Sequence, residues 1–182
     1  MRRVGLVLLM MAVALAVGGG VALAAVKYGT EGRDFLVGTN DEDVLHGRGG
    51  SDGIAGKEGD DVLHGDDGND FMHGGRVGWG MAADGKDKLY GGDGSDCMFG
   101  GSEGDVLYGG DGGDDMGHYC YEFIFDRGND VFYGGGGGDD IIAVEDTEAQ
   151  QRDVVFCGDG RDTVYYRKGV DRLFDCERKR AV

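Results

Sequence analysis

The sequence predicts an all-β repeat fold in which very short strands alternate with tight turns. The 182 residues include 40 glycines and no proline, a composition that indicates a short turn repeated many times. When the chain is compared with itself, a nine-residue period runs from about residue 29 to about residue 175. Single apolar residues recur at one phase of this period. This pattern predicts one buried side chain in each short strand.

The N-terminal segment differs from the rest of the chain. Arg2 and Arg3 precede an apolar run over residues 4–17, and Ala22-Leu23-Ala24 fits an A-x-A cleavage site. The apolar run is shorter than the roughly 20 residues that span a bilayer, and no basic cluster follows it. We therefore expect a cleaved secretory signal peptide over residues 1–24 rather than a membrane anchor. Residues 25–182 would then form a secreted protein with no membrane span.

The chain is strongly acidic. Asp and Glu number 35 against 18 Lys and Arg, for a net charge of −17. Nucleic acid and anionic membranes are therefore not expected partners. The chain should also repel itself, and its isolated apolar residues cannot collapse around one broad core. We expect disorder unless cations neutralise the charge.

Aspartates mark the nine-residue period most clearly. They lie nine residues apart except at three insertions, with an apolar residue two positions after each and a glycine two positions before most. A disordered glycine-rich tract would not keep apolar residues at one phase. The fourteen aspartates in register are Asp34, Asp43, Asp52, Asp61, Asp70, Asp87, Asp96, Asp105, Asp114, Asp130, Asp139, Asp153, Asp162 and Asp171.

Each block of nine residues combines a glycine turn with a three-residue strand. Residues 91–99 read G-G-D-G-S-D-C-M-F, which fits G-G-x-G-x-D-x-U-x with U apolar. Glycines at the first, second and fourth places allow a tight turn with positive φ and leave backbone carbonyls pointing inward. The aspartate at the sixth place adds a carboxylate. The turn thereby offers the all-oxygen surroundings that calcium prefers.

This block resembles the hemolysin-type calcium-binding repeat of repeats-in-toxin (RTX) proteins. Residues 153–177 also resemble the end of secreted actinobacterial calcium-binding proteins. The resemblance implies a right-handed parallel β-roll (β-solenoid), in which two blocks form one coil and each ion lies between turns stacked one coil apart. It also implies that several Ca²⁺ ions are bound, with the fourteen aspartates as the metal ligands.

Some turns depart from the pattern and are expected to bind weakly or not at all. Asp41 and Glu103 replace the fourth-place glycine, and Thr30 and Thr39 replace the second-place glycine. Positive charge from Arg48 and Lys57 is also expected beside the ions.

Four cysteines fit an oxidising compartment and allow three pairings. Cys176 follows Cys157 by 19 residues, one more than a coil of two blocks. Their backbones should therefore stack about one strand spacing apart, near 5 Å, which lies within disulfide range. We expect a Cys157–Cys176 disulfide and, by elimination, Cys97–Cys120. The alternative is free buried thiols.

Three insertions interrupt the aspartate ladder, at about residues 74–83, 118–125 and 143–152. The first contains Trp79 among glycines and is expected to be a loop. The third is rich in acidic residues and is expected to be a solvated turn or a short helix. The second alternates aromatic residues as one face of a strand does. It either covers the flank of the roll or forms an exposed row that binds a cell-surface glycan or protein.

Two further patterns were tested for chemistry. His46 and His64 end their blocks 18 residues apart and should be neighbours on adjacent coils, but the pair alone supplies too few ligands for zinc. Ser51 and Ser102 each lie in a G-x-S-x-G sequence. Each serine falls inside a repeat turn with no helix to follow, unlike a hydrolase nucleophile. We therefore expect no enzymatic activity.

Together these observations predict a secreted calcium-binding protein that folds when it binds Ca²⁺ outside the cell. The alternative is an extracellular adhesin, or a glycan- or cell-wall-binding protein, that uses residues 118–125 as its contact surface.

Overall fold

The computed structural model describes residues 24–75, 84–117, 128–144 and 151–182, and these contain sixteen β-strands and no helix. Every strand pair is parallel, and the strands form two sheets of eight. The predicted all-β parallel β-roll is therefore confirmed. Among the described residues no helix has the length and apolar character needed to cross a membrane.

The odd-numbered strands form the first sheet, in chain order. They are β1 (Val26–Tyr28), β3 (Val44–Gly49), β5 (Val62–Asp67), β7 (Lys88–Asp93), β9 (Val106–Gly112), β11 (Val131–Gly137), β13 (Val154–Gly160) and β15 (Arg172–Phe174). The even-numbered strands form the second sheet. They are β2 (Phe35–Val37), β4 (Gly53–Ala55), β6 (Phe71–His73), β8 (Cys97–Phe99), β10 (Asp115–Met116), β12 (Asp140–Ala143), β14 (Thr163–Tyr166) and β16 (Arg178–Ala181).

One coil of the roll consists of a strand from each sheet and the two turns that join them. In the regular part of the chain a coil takes 18 residues, so that Asp43 lies over Asp61. It lengthens to 26, 25 and 23 residues where the three insertions fall. The register is restored after each insertion, since Val62 pairs with Lys88 and Val106 with Val131. The strands on both sides of each insertion therefore keep the same faces.

The core is a single file of apolar side chains between the two sheets. Besides Ala143 and Cys157, the core consists of residues that stand two positions after an aspartate of the ladder, on the inward face of each strand. Twelve of them are no more than 1% exposed, whereas Leu36 and Leu173 at the two ends are partly buried. The twelve are Leu45, Ile54, Leu63, Met72, Leu89, Met98, Leu107, Met116, Phe132, Ile141, Val155 and Val164.

The outer face of the first sheet carries a column of stacked rings, here called the ring column. Neighbouring ring centroids lie 4.4 to 4.9 Å apart and the planes are within 12° of parallel. This spacing is that of adjacent strands. Because each ring covers the next, the column presents ring edges to solvent rather than faces. Its members are Tyr28, His46, His64, Tyr90, Tyr108, Tyr133, Phe156 and Phe174.

A disulfide closes the C-terminal end of the roll. Cys157 and Cys176 are bonded, with Cα atoms 5.1 Å apart, as the coil length predicts. Cys97 is also disulfide-bonded. Its expected partner, Cys120, lies outside the described residues, so the Cys97–Cys120 pairing stays a prediction.

Several predicted features fall on residues that the structure does not describe. These are the signal peptide up to residue 23, the Trp79 loop, the aromatic insertion at 118–125, and most of the acidic insertion at 143–152. The adhesive function assigned to residues 118–125 therefore stays a prediction.

Candidate metal-binding turns

The glycines of each turn serve two different purposes. In most turns after the first two, second-place and fourth-place residues have positive φ, as at Gly92 (114°) and Gly94 (141°), which glycine adopts without steric cost. The first-place glycines, such as Gly47 and Gly91, are not among the residues with positive φ. Our prediction of positive φ at the first place is therefore wrong. Glycine is required there for another reason.

At the first place, glycine leaves room beside two oxygen atoms. A Cβ atom added to Gly47 would lie 2.5 Å from Asp52 Oδ2 and 2.6 Å from the carbonyl oxygen of Gly65, one coil further on. Similar pairs of oxygens meet the first-place glycine in both lines of turns, for example at Gly56 and Gly109. Each such space, lined by a carboxylate and a carbonyl from the next coil, is here called a cradle. A side chain would fill it.

The ladder aspartates form two rows, one on each edge of the roll. In both rows the carboxylate Oδ1 accepts the backbone N–H of the aspartate one coil earlier, at 2.7 to 3.2 Å. The first row, before the strands of the first sheet, is Asp43, Asp61, Asp87, Asp105, Asp130, Asp153 and Asp171. The second row, before the strands of the second sheet, is Asp34, Asp52, Asp70, Asp96, Asp114, Asp139 and Asp162. The structure thus brings all fourteen predicted ligands into two lines.

The second carboxylate oxygen distinguishes the middle of the roll from its ends. In the middle turns Oδ2 is buried, faces the cradle and accepts no hydrogen bond. The residues with this arrangement are Asp52, Asp61, Asp70, Asp87, Asp96, Asp114 and Asp139. Buried polar atoms without a partner are costly and uncommon in folded proteins. These oxygens therefore fit a cation in the cradle.

At the N-terminal end, protein donors occupy the same oxygens. Thr30 donates its backbone N–H and its hydroxyl to Asp34 Oδ2, at 2.5 and 2.7 Å. Thr39 does the same for Asp43, with the hydroxyl at 3.1 Å. The threonines that depart from the glycine pattern thus satisfy the carboxylates of the first two turns.

The C-terminal end is also closed by the protein. The Arg167 backbone N–H donates to Asp171 Oδ2 at 2.6 Å, and its guanidinium lies 3.9 Å from Asp171 Oδ1. In the last turn of the second row, Cys157 stands at the first place, where other turns have glycine. Its side chain is held by the disulfide to Cys176. Asp171 is therefore satisfied by a hydrogen bond and an ion pair, whereas Asp162 Oδ2 in the Cys157 turn is buried without a hydrogen-bond partner.

The carboxylates in the middle turns hold their protons more tightly than exposed aspartates do. Burial, reinforced by neighbouring aspartates and opposed by backbone N–H donation, raises the pKa of Asp87 to about 8. The same causes raise the pKa of Asp61 and Asp96 to about 7. Stacked carboxylates in a low-dielectric environment disfavour one another's ionisation. A divalent cation between them would reverse this effect.

Two acidic residues of the rows were not predicted. Glu177 accepts the Asp162 N–H at 3.2 Å and so continues the second row. It follows Asp162 by 15 residues instead of 18, and the nine-residue period does not reach it. Asp84 is 6% exposed and accepts the Ser102 N–H at 2.9 Å. It occupies the third place of its block, which the pattern leaves unrestricted, so the sequence carried no signal for it.

The two G-x-S-x-G serines lie in turns of the roll. Ser51 stands between β3 and β4, and Ser102 between β8 and β9. Neither therefore has the strand-to-helix surroundings of a hydrolase nucleophile within the described part of the chain. The expected lack of enzymatic activity stays a prediction.

The chemistry of the turns is that of a hard-cation site. The atoms nearest to the first-place glycines are a carboxylate oxygen and, in most turns, a backbone carbonyl oxygen from the next coil. Calcium takes six to eight oxygen ligands of these kinds and tolerates irregular geometry. The residues present fit Ca²⁺.

Comparison with known proteins agrees with this chemistry. The family model of the RTX calcium-binding nonapeptide repeat matches in four copies, at residues 28–61, 54–76, 81–107 and 126–144, which is over half of the chain. No curated protein matches the sequence significantly. RTX repeats bind Ca²⁺, and the matched residues contain most of the cradles described above. The chain therefore belongs to the family of RTX calcium-binding nonapeptide repeat proteins.

Proposed function

We propose that this protein is a secreted calcium-binding module that folds when it binds Ca²⁺ outside the cell. The observation that carries the proposal is the set of buried aspartate Oδ2 atoms in the middle turns, which face the cradles and accept no hydrogen bond. The proposed ligands are the ladder aspartates of the middle turns, together with carbonyl oxygens of the first-place residues. Several ions are bound in each chain.

Calcium binding and folding are one event in this proposal. Without cations, the middle turns bury ionised carboxylates in two lines, at a cost that the single-file core does not offset. An ion that binds the folded state stabilises it in proportion to the logarithm of its concentration relative to Kd. The chain therefore stays unfolded inside the cell, where free calcium is scarce, and folds after export.

Export is supported by two separate features. Residues 1–24 have the composition of a secretory signal peptide. The Cys157–Cys176 disulfide is typical of proteins that act in an oxidising compartment. We infer that residues 25–182 form the secreted calcium-binding domain.

The ions occupy the middle turns, while the end turns stay free of metal. Thr30 and Thr39 already supply donors to the oxygens that would bind the first ions. At the other end, the Arg167 backbone N–H donates to Asp171 Oδ2, and disulfide-bonded Cys157 stands where other turns have the first-place glycine. Protein groups thus occupy the turns at the ends of the roll, and calcium occupies the interior turns.

Circular dichroism of the oxidised chain, residues 25–182, tests the proposal. In excess chelator we expect the spectrum of a disordered chain, and in millimolar Ca²⁺ a β spectrum. Magnesium at the same concentration is the control for ionic strength and should not produce the β spectrum, because it demands near-ideal octahedral geometry. A spectrum that calcium leaves unchanged would contradict the proposal.

Single aspartate substitutions test which turns bind ions. Asp96→Asn removes the charge from an oxygen that accepts no hydrogen bond, so we expect one calcium site to be lost or weakened at least about tenfold. Asp34→Asn makes the same change in charge at a turn closed by Thr30. It should leave the number of bound ions unchanged. Calorimetric titration with Ca²⁺ measures both variants, and equal losses would refute the distinction between middle and end turns.

A further inference from the structure

We propose that His46, His64 and Asp66 form a second kind of metal site, which binds a divalent transition ion such as Zn²⁺ on the outer face of the first sheet. This site lies outside the calcium turns and goes beyond the proposed function. Its ligands come from two adjacent coils.

The two histidines are held in register by the sheet. His46 on β3 pairs with His64 on β5, and their ring centroids lie 4.4 Å apart with an angle of 6° between the planes. This is the shortest ring spacing in the ring column, whose other described spacings are 4.7 to 4.9 Å. Both imidazoles therefore present nitrogen atoms to the same side of the sheet.

The two histidines alone supply too few ligands, and Asp66 supplies the third. It follows His64 by two positions on β5, so its side chain leaves the same face of the strand. Its Oδ2 lies 3.9 Å from His46 Nδ1. One ligand atom from each of the three residues lies within 4.8 Å of the others. Two adjacent strands place this cluster, since His46 and His64 are paired in register and Asp66 lies two residues after His64.

The donor set matches the chemistry of zinc-like ions rather than calcium. Two imidazole nitrogens and one carboxylate oxygen suit Zn²⁺ or Cu²⁺, whereas calcium takes oxygen ligands. Tetrahedral Zn²⁺ with bonds of about 2.1 Å places its ligand atoms roughly 3.4 Å apart. Because each nitrogen lone pair lies in the plane of its ring, the two imidazoles must tilt out of their parallel stack, as well as shift by about 1 Å, to bind one ion. The His46 and Asp66 side chains are 26% and 44% exposed, which leaves room for such shifts. Water completes the coordination.

The positively charged Arg48 side chain lies near the cluster but packs on the Tyr28 ring. Arg48 is in register with Asp66 on the neighbouring strand. Its guanidinium carbon lies 5.3 Å from the centre of the Tyr28 ring, on the far side of His46 from His64. Asp67, the next residue of β5, adds negative charge beside the cluster. The local charge therefore favours a cation at the three ligands.

The site exists only in the folded roll. His46 and His64 precede Gly47 and Gly65, whose surroundings form calcium cradles, and 18 residues separate the two histidines along the chain. Zinc binding must therefore be measured on the folded, calcium-saturated protein. Excess calcium also keeps zinc from the acidic turns. A failure to bind zinc under these conditions leaves the calcium proposal intact.

Calorimetric titration of the oxidised, calcium-saturated chain with Zn²⁺ tests the inference. We expect one zinc ion per chain for the wild type and at least tenfold weaker binding for His64→Tyr. Tyrosine keeps the ring column continuous, since Tyr90 and Tyr108 already occupy it, but removes the ligand nitrogen. His46→Tyr serves as a second variant with the same design. Circular dichroism in calcium confirms that each variant is folded.

Asp66→Asn and Asp67→Asn form a matched pair, because both remove one charge from the same strand. Asp66→Asn should weaken zinc binding about tenfold, while Asp67→Asn should leave it within twofold of the wild type. The inference is overturned if the wild type binds no zinc, if both tyrosine variants bind zinc as the wild type does, or if the two Asn variants lose affinity equally. Equal losses in the two Asn variants would show that zinc affinity depends only on the net negative charge of the surface.

Discussion

Gly91→Ala is expected to destabilise the calcium-bound protein by about 3 kcal/mol, at the upper end of the cost of overpacking a well-filled site. The added methyl group would lie closer than 3.0 Å to both Asp96 Oδ2 and the carbonyl oxygen of Gly109. It would occupy the cradle between two coils in the middle of the second row. We therefore expect one calcium ion to be lost as well.

Gly138→Ala is the matched control. Gly138 lies in a turn of the same row, and the nearest atom to an added Cβ is the Arg161 carbonyl oxygen at 3.6 Å, an ordinary contact. Thermal unfolding in calcium should give a midpoint lower by roughly 6 to 12 °C for Gly91→Ala, and one close to the wild type for Gly138→Ala. Calorimetric titration gives the number of bound ions. Equal midpoints for the two variants would show that the space beside the first-place glycine is not needed for stability.

Without calcium, the protein is expected to be more stable at pH 5 than at pH 8. An aspartate has a pKa near 3.9 in an unfolded chain. Burial, followed by the charges of neighbouring aspartates, raises the pKa to about 6 for Asp114 and Asp139 and to about 8 for Asp87. Between pH 4 and pH 8 the folded state therefore binds more protons than the unfolded state. By linkage, the stability of the ion-free roll falls as the pH rises through this window.

Calcium should reverse this dependence, because it binds the ionised carboxylates and releases their protons. In protein freed of metal on a chelating resin, the β signal in circular dichroism is expected to be stronger at pH 5 than at pH 8, where the ion-free chain is unfolded. In millimolar calcium the thermal midpoint should instead be higher at pH 8 than at pH 5. A calcium-free β signal that grows with pH would contradict the assignment of the buried carboxylates.

A variant separates the buried carboxylate from the overall acidity of the chain. Asp87→Asn removes one buried charge, and should raise the ion-free β signal at pH 8 while weakening calcium binding. Asp93→Asn removes an exposed charge from the neighbouring strand and should change neither property appreciably. The same rise in both variants would assign the effect to net charge instead.

The end turns of the roll are stabilised without a bound cation. An end turn lacks a neighbour on one side, so a cation there would be held by fewer oxygens than in the middle. Thr30 and Thr39 supply hydrogen-bond donors in its place, and the Cys157–Cys176 disulfide holds the last coil covalently. Departures from the repeat pattern at the ends are thus substitutions of one stabilising interaction for another.

Most of the fold could be predicted from the sequence because a strict period leaves few alternatives. The aspartate ladder and the apolar residue two positions later predict the turns, the parallel strands and the core from Leu45 to Val164. The coil length predicts the Cys157–Cys176 bond. These features depend only on the repeat, which local turn chemistry enforces in each block.

Other features depend on contacts between coils, and the sequence period does not reveal them. The first-place glycine looked like a residue of positive φ, but Gly91 is needed for the space between Asp96 and Gly109. Glu177 joins the second row although its coil has lost three residues of the period. Asp66 joins His46 and His64 because neighbouring strands bring them to one face. Both the calcium cradles and the proposed zinc site are built from atoms of successive coils, so only the stacking of those coils decides their geometry.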